Sequence, residues 1–181
     1  MRLESQPQGG PDVSIRNPGR ACLSASITVL ALFVSAPALG GATCSVAATA
    51  VNFGAYDISL ATPDDSTGDV TVTCTYVAPG GSTQVNVVAS LSTGTSGSYS
   101  PRQMASGPAR LNYNLFRDTP RTLIWGNGLS GTSVNTASLR VGPGVGNGTR
   151  TAQFPVYGRV PAQQAVATGA YSDTIVVTVT F

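Results

Sequence analysis

The chain contains no lysine and no histidine, and its single glutamate is Glu4. Those absences remove the base of a Ser-His triad, the amine of Schiff-base chemistry, the imidazole ligands of zinc sites and most general bases. All ten basic residues are arginine. Beyond residue 42, seven Arg face six Asp, so this part of the chain is nearly neutral. Phosphate affinity grows with the number of basic contacts, and a nucleic-acid binder is therefore not expected. The composition points away from an enzyme, and no cofactor or metal is expected.

Charge is also missing from residues 21–36, an apolar run that includes Ile27, Leu30, Leu32 and Phe33. Arg16 and Arg20 precede it, and Ala36, Pro37, Ala38, Leu39, Gly40, Gly41 and Ala42 follow. A positive end, an apolar middle and a small-residue exit make a secretory signal, with cleavage expected after Ala38, Gly40 or Ala42. The run is short for a membrane span and no basic stop-transfer cluster follows it, so no span is expected once the signal is removed. Residues 1–42 are assigned to the signal, with an over-long polar start, and residues 43–181 to one domain. At roughly 140 residues that domain can bury a core of its own.

Cysteine is scarce. Cys22 lies inside the signal, which leaves Cys44 and Cys74 in the exported chain. An even pair in an exported protein reads as a disulfide, closing a loop of about 30 residues. The alternative, a reactive or metal-binding pair, lacks CxxC spacing and any histidine.

Helical periodicity is absent past the signal, and alternation takes its place. Val70, Val72 and Cys74 alternate with threonines, Val85 and Val87 with Gln84 and Asn86, and Leu111, Tyr113 and Leu115 with Asn112 and Asn114. Ile175, Val177, Val179 and Phe181 alternate with Thr174, Thr178 and Thr180 over most of the last run. A period of two rich in Val, Thr and Tyr marks half-buried strands. Turn clusters fall at residues 62–68, 78–82, 92–100, 126–131 and 142–148. Short strands separated by turns predict one all-β antiparallel sandwich.

Few residues offer chemistry. Asp57, Asp64, Asp65 and Asp69 could hold Ca²⁺, but without EF-hand spacing they read as carboxylates solvating a turn. A two-carboxylate glycosidase finds no Asp marked as its acid. The glycine-rich stretch at 142–148 has Asn147 where a phosphate-cradling GxGxxG needs glycine. Trp125, Tyr113, Phe116 and Tyr157 could line a sugar-binding face, although alternate ones filling the core is the simpler reading.

Several segments in order carry a resemblance. They are Cys44-Ser45-Val46, Val51-Asn52-Phe53-Gly54-Ala55-Tyr56-Asp57, Val70-Thr71-Val72-Thr73-Cys74 and Arg102-Gln103-Met104. Leu111-Asn112-Tyr113-Asn114-Leu115-Phe116-Arg117-Asp118, Ile124-Trp125-Gly126-Asn127-Gly128 and Val156-Tyr157-Gly158-Arg159-Val160-Pro161 follow. Gly169-Ala170-Tyr171-Ser172-Asp173-Thr174 then leads into the final run to Phe181. Together they resemble the spore coat protein U domain family, which includes the secreted spore coat protein and the Csu-type pilins of the chaperone–usher pathway.

The resemblance implies a pilin-type immunoglobulin-like sandwich lacking its final strand, with Cys44 and Cys74 bridged. It implies a periplasmic chaperone, an usher and other pilus subunits as partners, and passage through the periplasm to the cell surface. An incomplete sandwich leaves a groove and an open sheet edge, which invite strand addition. Ile175, Val177, Val179 and Phe181 are expected to form one wall of that groove, a role that overlaps with ordinary core packing. A rod subunit of this kind needs a donor segment of about ten residues ahead of its first strand, at about 3.3 Å per residue. The cleavage sites leave too little before Cys44, so a terminal subunit is expected, able to receive a strand and not to give one. The alternative is a self-contained secreted coat or matrix protein.

Overall fold

A computed structural model describes residues 24–31 and 41–181. Most of the expected signal, with Cys22 and the cleavage positions up to Gly40, therefore lies outside the described residues. Among those described, the elements are strands β1 (Ser24–Ala31), β2 (Ala42–Thr49), β3 (Asn52–Ala55), β4 (Asp64–Tyr76) and β5 (Thr83–Leu91). Strands β6 (Arg102–Ser106), β7 (Ala109–Phe116), β8 (Asn135–Val141), β9 (Thr149–Val160) and β10 (Tyr171–Thr180) follow, with 3-10 turns at Gly94–Ser96 and Gly146–Gly148. No helix among the described residues is long and apolar enough to cross a membrane, which leaves β-barrel spans unaddressed.

The strands form an immunoglobulin-like sandwich. One layer runs β2–β4–β9–β7, all antiparallel. In the other, β10 is central: β6 joins one of its edges at Ser172, β5 joins further along at 177–180, and β8 pairs with β5. Strand β7 also pairs with β6 and so links the layers. The other edge of β10 carries β1, running parallel to it, and β3 lies beyond β1.

Alternation explains these strands. Val70, Val72 and Cys74 of β4, Leu111, Tyr113 and Leu115 of β7, and Ile175 and Val177 of β10 all point into one buried cluster. Trp125, from the connection between β7 and β8, is fully buried among them. Its indole N–H donates to the Ala89 carbonyl (3.0 Å), its backbone N–H donates to Leu115 (2.9 Å), and its ring meets Phe154 edge-on. Trp125 and Tyr113 are therefore core, while Phe116 and Tyr157 are half-buried.

The turn expected at 62–68 is a correction. Strand β4 already begins at Asp64 and pairs with the end of β9. Gly68 looked like a breaker but serves a close approach, as does Gly158. The chain leaves β2 and crosses to β3 over these two residues. A Cβ on Gly68 would lie 2.6 Å from the Thr49 carbonyl oxygen, and one on Gly158 would lie 2.7 Å from Val51 and Phe53 atoms.

Cys44 and Cys74 face each other in register across β2 and β4 and are joined in a disulfide. The bond ties edge strand β2 to the sheet, and Cys74 is fully buried. In the chain-entropy account, closing this loop of 30 residues stabilises the fold by about 3–4 kcal/mol.

At the start of β4, neighbouring carboxylates sit in opposite environments. Asp65 accepts two hydrogen bonds from Arg159, at 2.7 and 2.8 Å, and lies 3.3 Å from Arg121. The Arg159 hydrogen bond holds its carboxyl below the ordinary range. Asp64 has one oxygen buried without a hydrogen-bond partner, and burial, with the charge of Asp65, pushes its carboxyl up.

Two outcomes follow from these features. Replacing Cys44 and Cys74 together with alanine should lower unfolding stability in urea by about 3 kcal/mol; an unchanged midpoint would contradict the stabilising role of the bridge. The two aspartates should respond oppositely to pH. The contribution of Asp65 is present above the ordinary carboxylate range, near pH 4, and is lost as pH falls through its lowered folded value. The raised Asp64 favours the fold below that range, and the advantage disappears as pH rises through its folded value. Asp64→Asn should therefore stabilise slightly at pH 7, by under about 1 kcal/mol in this partly exposed position, with the gain vanishing near pH 3. Urea melts at the two pH values check both signs.

Candidate strand-exchange site

Strand β10 presents Ile175 and Val177 inward, 1% and 2% exposed, while Val179 and Phe181 are half-buried against the same core. The four residues share one line along the strand but do not share the same neighbours. Ile175 and Val177 are register partners of Val29 and Ala31 in β1. Val177 and Val179 also face Leu91 and Ala89 across the other edge, on β5. The β1 pairing ends at Val177, so Val179 and Phe181 lie past it.

The opposite wall belongs to β3 and its flanks, which sequence reasoning did not assign to the site. Val51, Phe53 and Tyr56 are buried, and the Phe53 ring meets Tyr113 edge-on with centroids 6.3 Å apart. Their signal was present as alternating Val51 and Phe53 before Gly54, but four residues are too few to stand out from a loop. The Tyr56 hydroxyl donates to the Pro161 carbonyl (2.7 Å) and accepts from the Gln164 backbone N–H (2.9 Å). The Gln164 side chain in turn bonds both the N–H and the carbonyl of Asn112, occupying a stretch of the β7 edge. This wall is thereby locked to the connection that feeds β10.

Between the two walls there is one strand. Among the described residues, β3 pairs only with β1, through Ser24↔Ala55, Ala25↔Gly54 and Ser26↔Asn52. Strand β1 holds β10 from Ala25↔Tyr171 to Ala31↔Val177. All of β1 falls within the residues assigned to the export signal. The site is thus a slot one strand wide, with β10 and β3 as walls and the core as floor.

Polar groups fix the β10 wall in place. Asp173 is 3% exposed; its carboxylate accepts from the Tyr113 hydroxyl (2.7 Å) and from the Thr95 backbone N–H and hydroxyl (2.9 Å each). Gly94, at φ +72°, leaves the room this carboxylate occupies; a Cβ there would overlap it. Burial, then the neighbouring Asp173 charge, pushes the Tyr113 phenol far above its ordinary value, which keeps it a donor. Arg102, fully buried, donates to the Ser92 carbonyl through Nε and Nη2, to the Trp125 carbonyl (2.7 Å) and to the Asn114 side-chain oxygen (2.7 Å). Burial lowers its pKa, and Tyr113, Tyr99 and Asp173 oppose that shift.

Asp57 bonds Ser59 and Asp69 bonds Thr71, so the aspartates weighed as Ca²⁺ ligands serve local contacts, and Asp65 serves its arginines. Among the described residues, no three His, Cys, Asp or Glu side chains are grouped to hold a metal. The expected outcome for the polar anchor is specific. Asp173→Ala strands the buried Tyr113 hydroxyl, removes the acceptor of the Thr95 N–H and hydroxyl, and should cost about 2–4 kcal/mol of stability. A loss below about 0.5 kcal/mol in urea melts would show that the anchor carries little.

Comparison with known proteins places these features. The chain matches the Spore Coat Protein U domain family over residues 29–178. It is similar to "Protein U" of Myxococcus xanthus, 34% identical over an alignment of 157 positions that covers 79% of this chain and 79% of that one. It is also similar to a chain in the crystal structure of the CsuC–CsuE chaperone–tip adhesion subunit pre-assembly complex from archaic chaperone–usher Csu pili of Acinetobacter baumannii. That likeness has 26% identity and a TM-score of 0.48, and covers 77% of this chain but 40% of that one. The matched residues run from β1 into β10 and include β3, Ile175, Val177 and the bridged cysteines, and the chain belongs to the Spore Coat Protein U domain family.

Proposed function

We propose that the exported protein is a non-enzymatic structural and adhesive subunit of a chaperone–usher surface fibre. Its slot between β10 and β3 receives a strand, first from a periplasmic chaperone and then from a neighbouring subunit. One observation carries the reading: the strand that joins the walls lies in the segment assigned to the export signal. Cleavage after Ala38, Gly40 or Ala42 removes it. The main-chain groups along one edge of β10 then lack partners, next to an apolar floor. Unpaired backbone groups and exposed apolar surface favour addition of another strand.

Ile175 and Val177 are the wall residues an incoming strand meets first, with Val179 and Phe181 extending the wall past the end of β1. Strand β2 begins at Ala42, so the cleaved chain carries little ahead of its first strand. A segment that short cannot fill a neighbour's slot, which favours a terminal position. The nearly neutral composition beyond residue 42 and the local partners of Asp57, Asp65, Asp69 and Asp173 fit a binding and assembly role better than catalysis.

A second reading, a self-contained secreted coat or matrix protein, draws on the same strand. If Ser24–Ala31 stays attached, the sheet closes without a partner. Native mass spectrometry of the exported protein, with and without its co-expressed cognate chaperone, separates the two. The fibre reading expects a one-to-one complex with the chaperone and loss or aggregation of the free chain. A stable free monomer in its cleaved form would overturn it.

A further inference from the structure

We infer that Ser24–Ala31 is a built-in plug for the slot, so that proteolytic processing between Ala31 and Cys44 converts a self-complete chain into a strand acceptor. The inference rests on the strand-accepting reading and adds the occupant, its direction and the event that releases it.

The register supplies the argument. Ile27, Val29 and Ala31 pair with the inward-facing Asp173, Ile175 and Val177, whereas Ser26 and Thr28 pair with the exposed Ser172 and Thr174. From Ser26 to Val29 the alternation of the segment is thus in phase with the alternation of the wall, while Leu30 pairs with the half-buried Val176. A slip by one residue would bring Ser26 and Thr28 opposite the buried positions. The composition agrees: Ile27, Thr28 and Val29 are three consecutive β-branched residues, which favour extended backbone over the helix expected of an apolar membrane-seeking run. Near its amino end the segment also pairs with β3, through Ser24, Ala25 and Ser26, so it bonds on both edges where the slot has two walls.

Direction follows from the same pairs. The segment runs parallel to β10 and antiparallel to β3, and its contact with β10 spans Ala25 to Ala31. A foreign strand that takes its place has the same length available, with alternate apolar residues at the positions of Ile27, Val29 and Ala31. While the segment remains attached, it competes at an effective concentration in the millimolar range. The uncleaved chain is therefore closed to foreign strands that the processed chain accepts.

The probe is a fluorescein-labelled synthetic peptide with the sequence of Ser24–Ala31, followed by fluorescence anisotropy. Three proteins are compared: the processed protein from the periplasm, the uncleaved 181-residue chain refolded with its disulfide formed, and the uncleaved Val29→Asp variant. The processed protein should bind the peptide. The uncleaved chain should bind it at least about a hundredfold more weakly, and Val29→Asp, which places a charge opposite buried Ile175, should recover binding. Equal binding by processed and uncleaved chains overturns the plug and leaves strand acceptance standing. A processed protein that ignores the peptide yet forms the chaperone complex also overturns the plug alone. If neither peptide nor chaperone binds, strand acceptance fails and the plug with it. An uncleaved chain that cannot be refolded to a soluble monomer counts against the plug as well, because a filled slot should remove the open edge.

Discussion

The main-chain hydrogen bonds along β10 are the constraint on which the rest of the molecule depends. This strand is central in its layer. One of its edges is divided between β6 and β5, and the other is occupied by β1. Its inward residues reach from Tyr171 to Val177 and touch the core contributed by both layers. A strand so placed cannot leave one row of N–H and C=O groups unpaired without a large penalty, because the groups border an apolar floor where water cannot replace a partner. In the structure β1 supplies that row of partners, from Ala25 to Ala31.

Buried polar contacts that do not involve β1 brace the rest of the interior. Arg102 gathers the end of β5, the connection carrying Trp125, and β7 by donating to Ser92, Trp125 and Asn114. Asp173 pulls the start of β10 onto Tyr113 and the 3-10 turn at Gly94–Ser96. A buried charge is tolerated when its hydrogen bonds are satisfied, and such bonds are directional where apolar packing is not. The disulfide acts on the far strand of the other layer, holding β2 to β4.

Much of the fold was legible because alternation is a local property. The runs around Leu111 to Leu115 and Ile175 to Phe181 declare a half-buried strand within a few residues, and each faces the core as its pattern demands. Misreadings occurred where a distant segment gave a residue its purpose. Gly68 signals a turn locally, but it is small because the chain crosses above it on the way from β2 to β3. Phe53 belongs to a strand of four residues, too short for a period to register, and its burial comes from Tyr113 and the Gly158 gap. The buried polar frame was equally silent, since nothing near Arg102 or Asp173 in the chain distinguishes an interior charge from a surface one.

The candidate site divides along the same line. By itself, the sequence determined that the chain is all-β, that Cys44 and Cys74 are the pair to be bridged, and that the run ending at Phe181 has one apolar face. These follow from residue type, parity and period, which neighbours along the chain suffice to express. Only the tertiary structure decided that Ser24–Ala31 lies between β3 and β10, antiparallel to the first and parallel to the second. Strand order and register are relations between residues far apart in the chain, settled by which edges and faces remain unsatisfied when the other strands have packed.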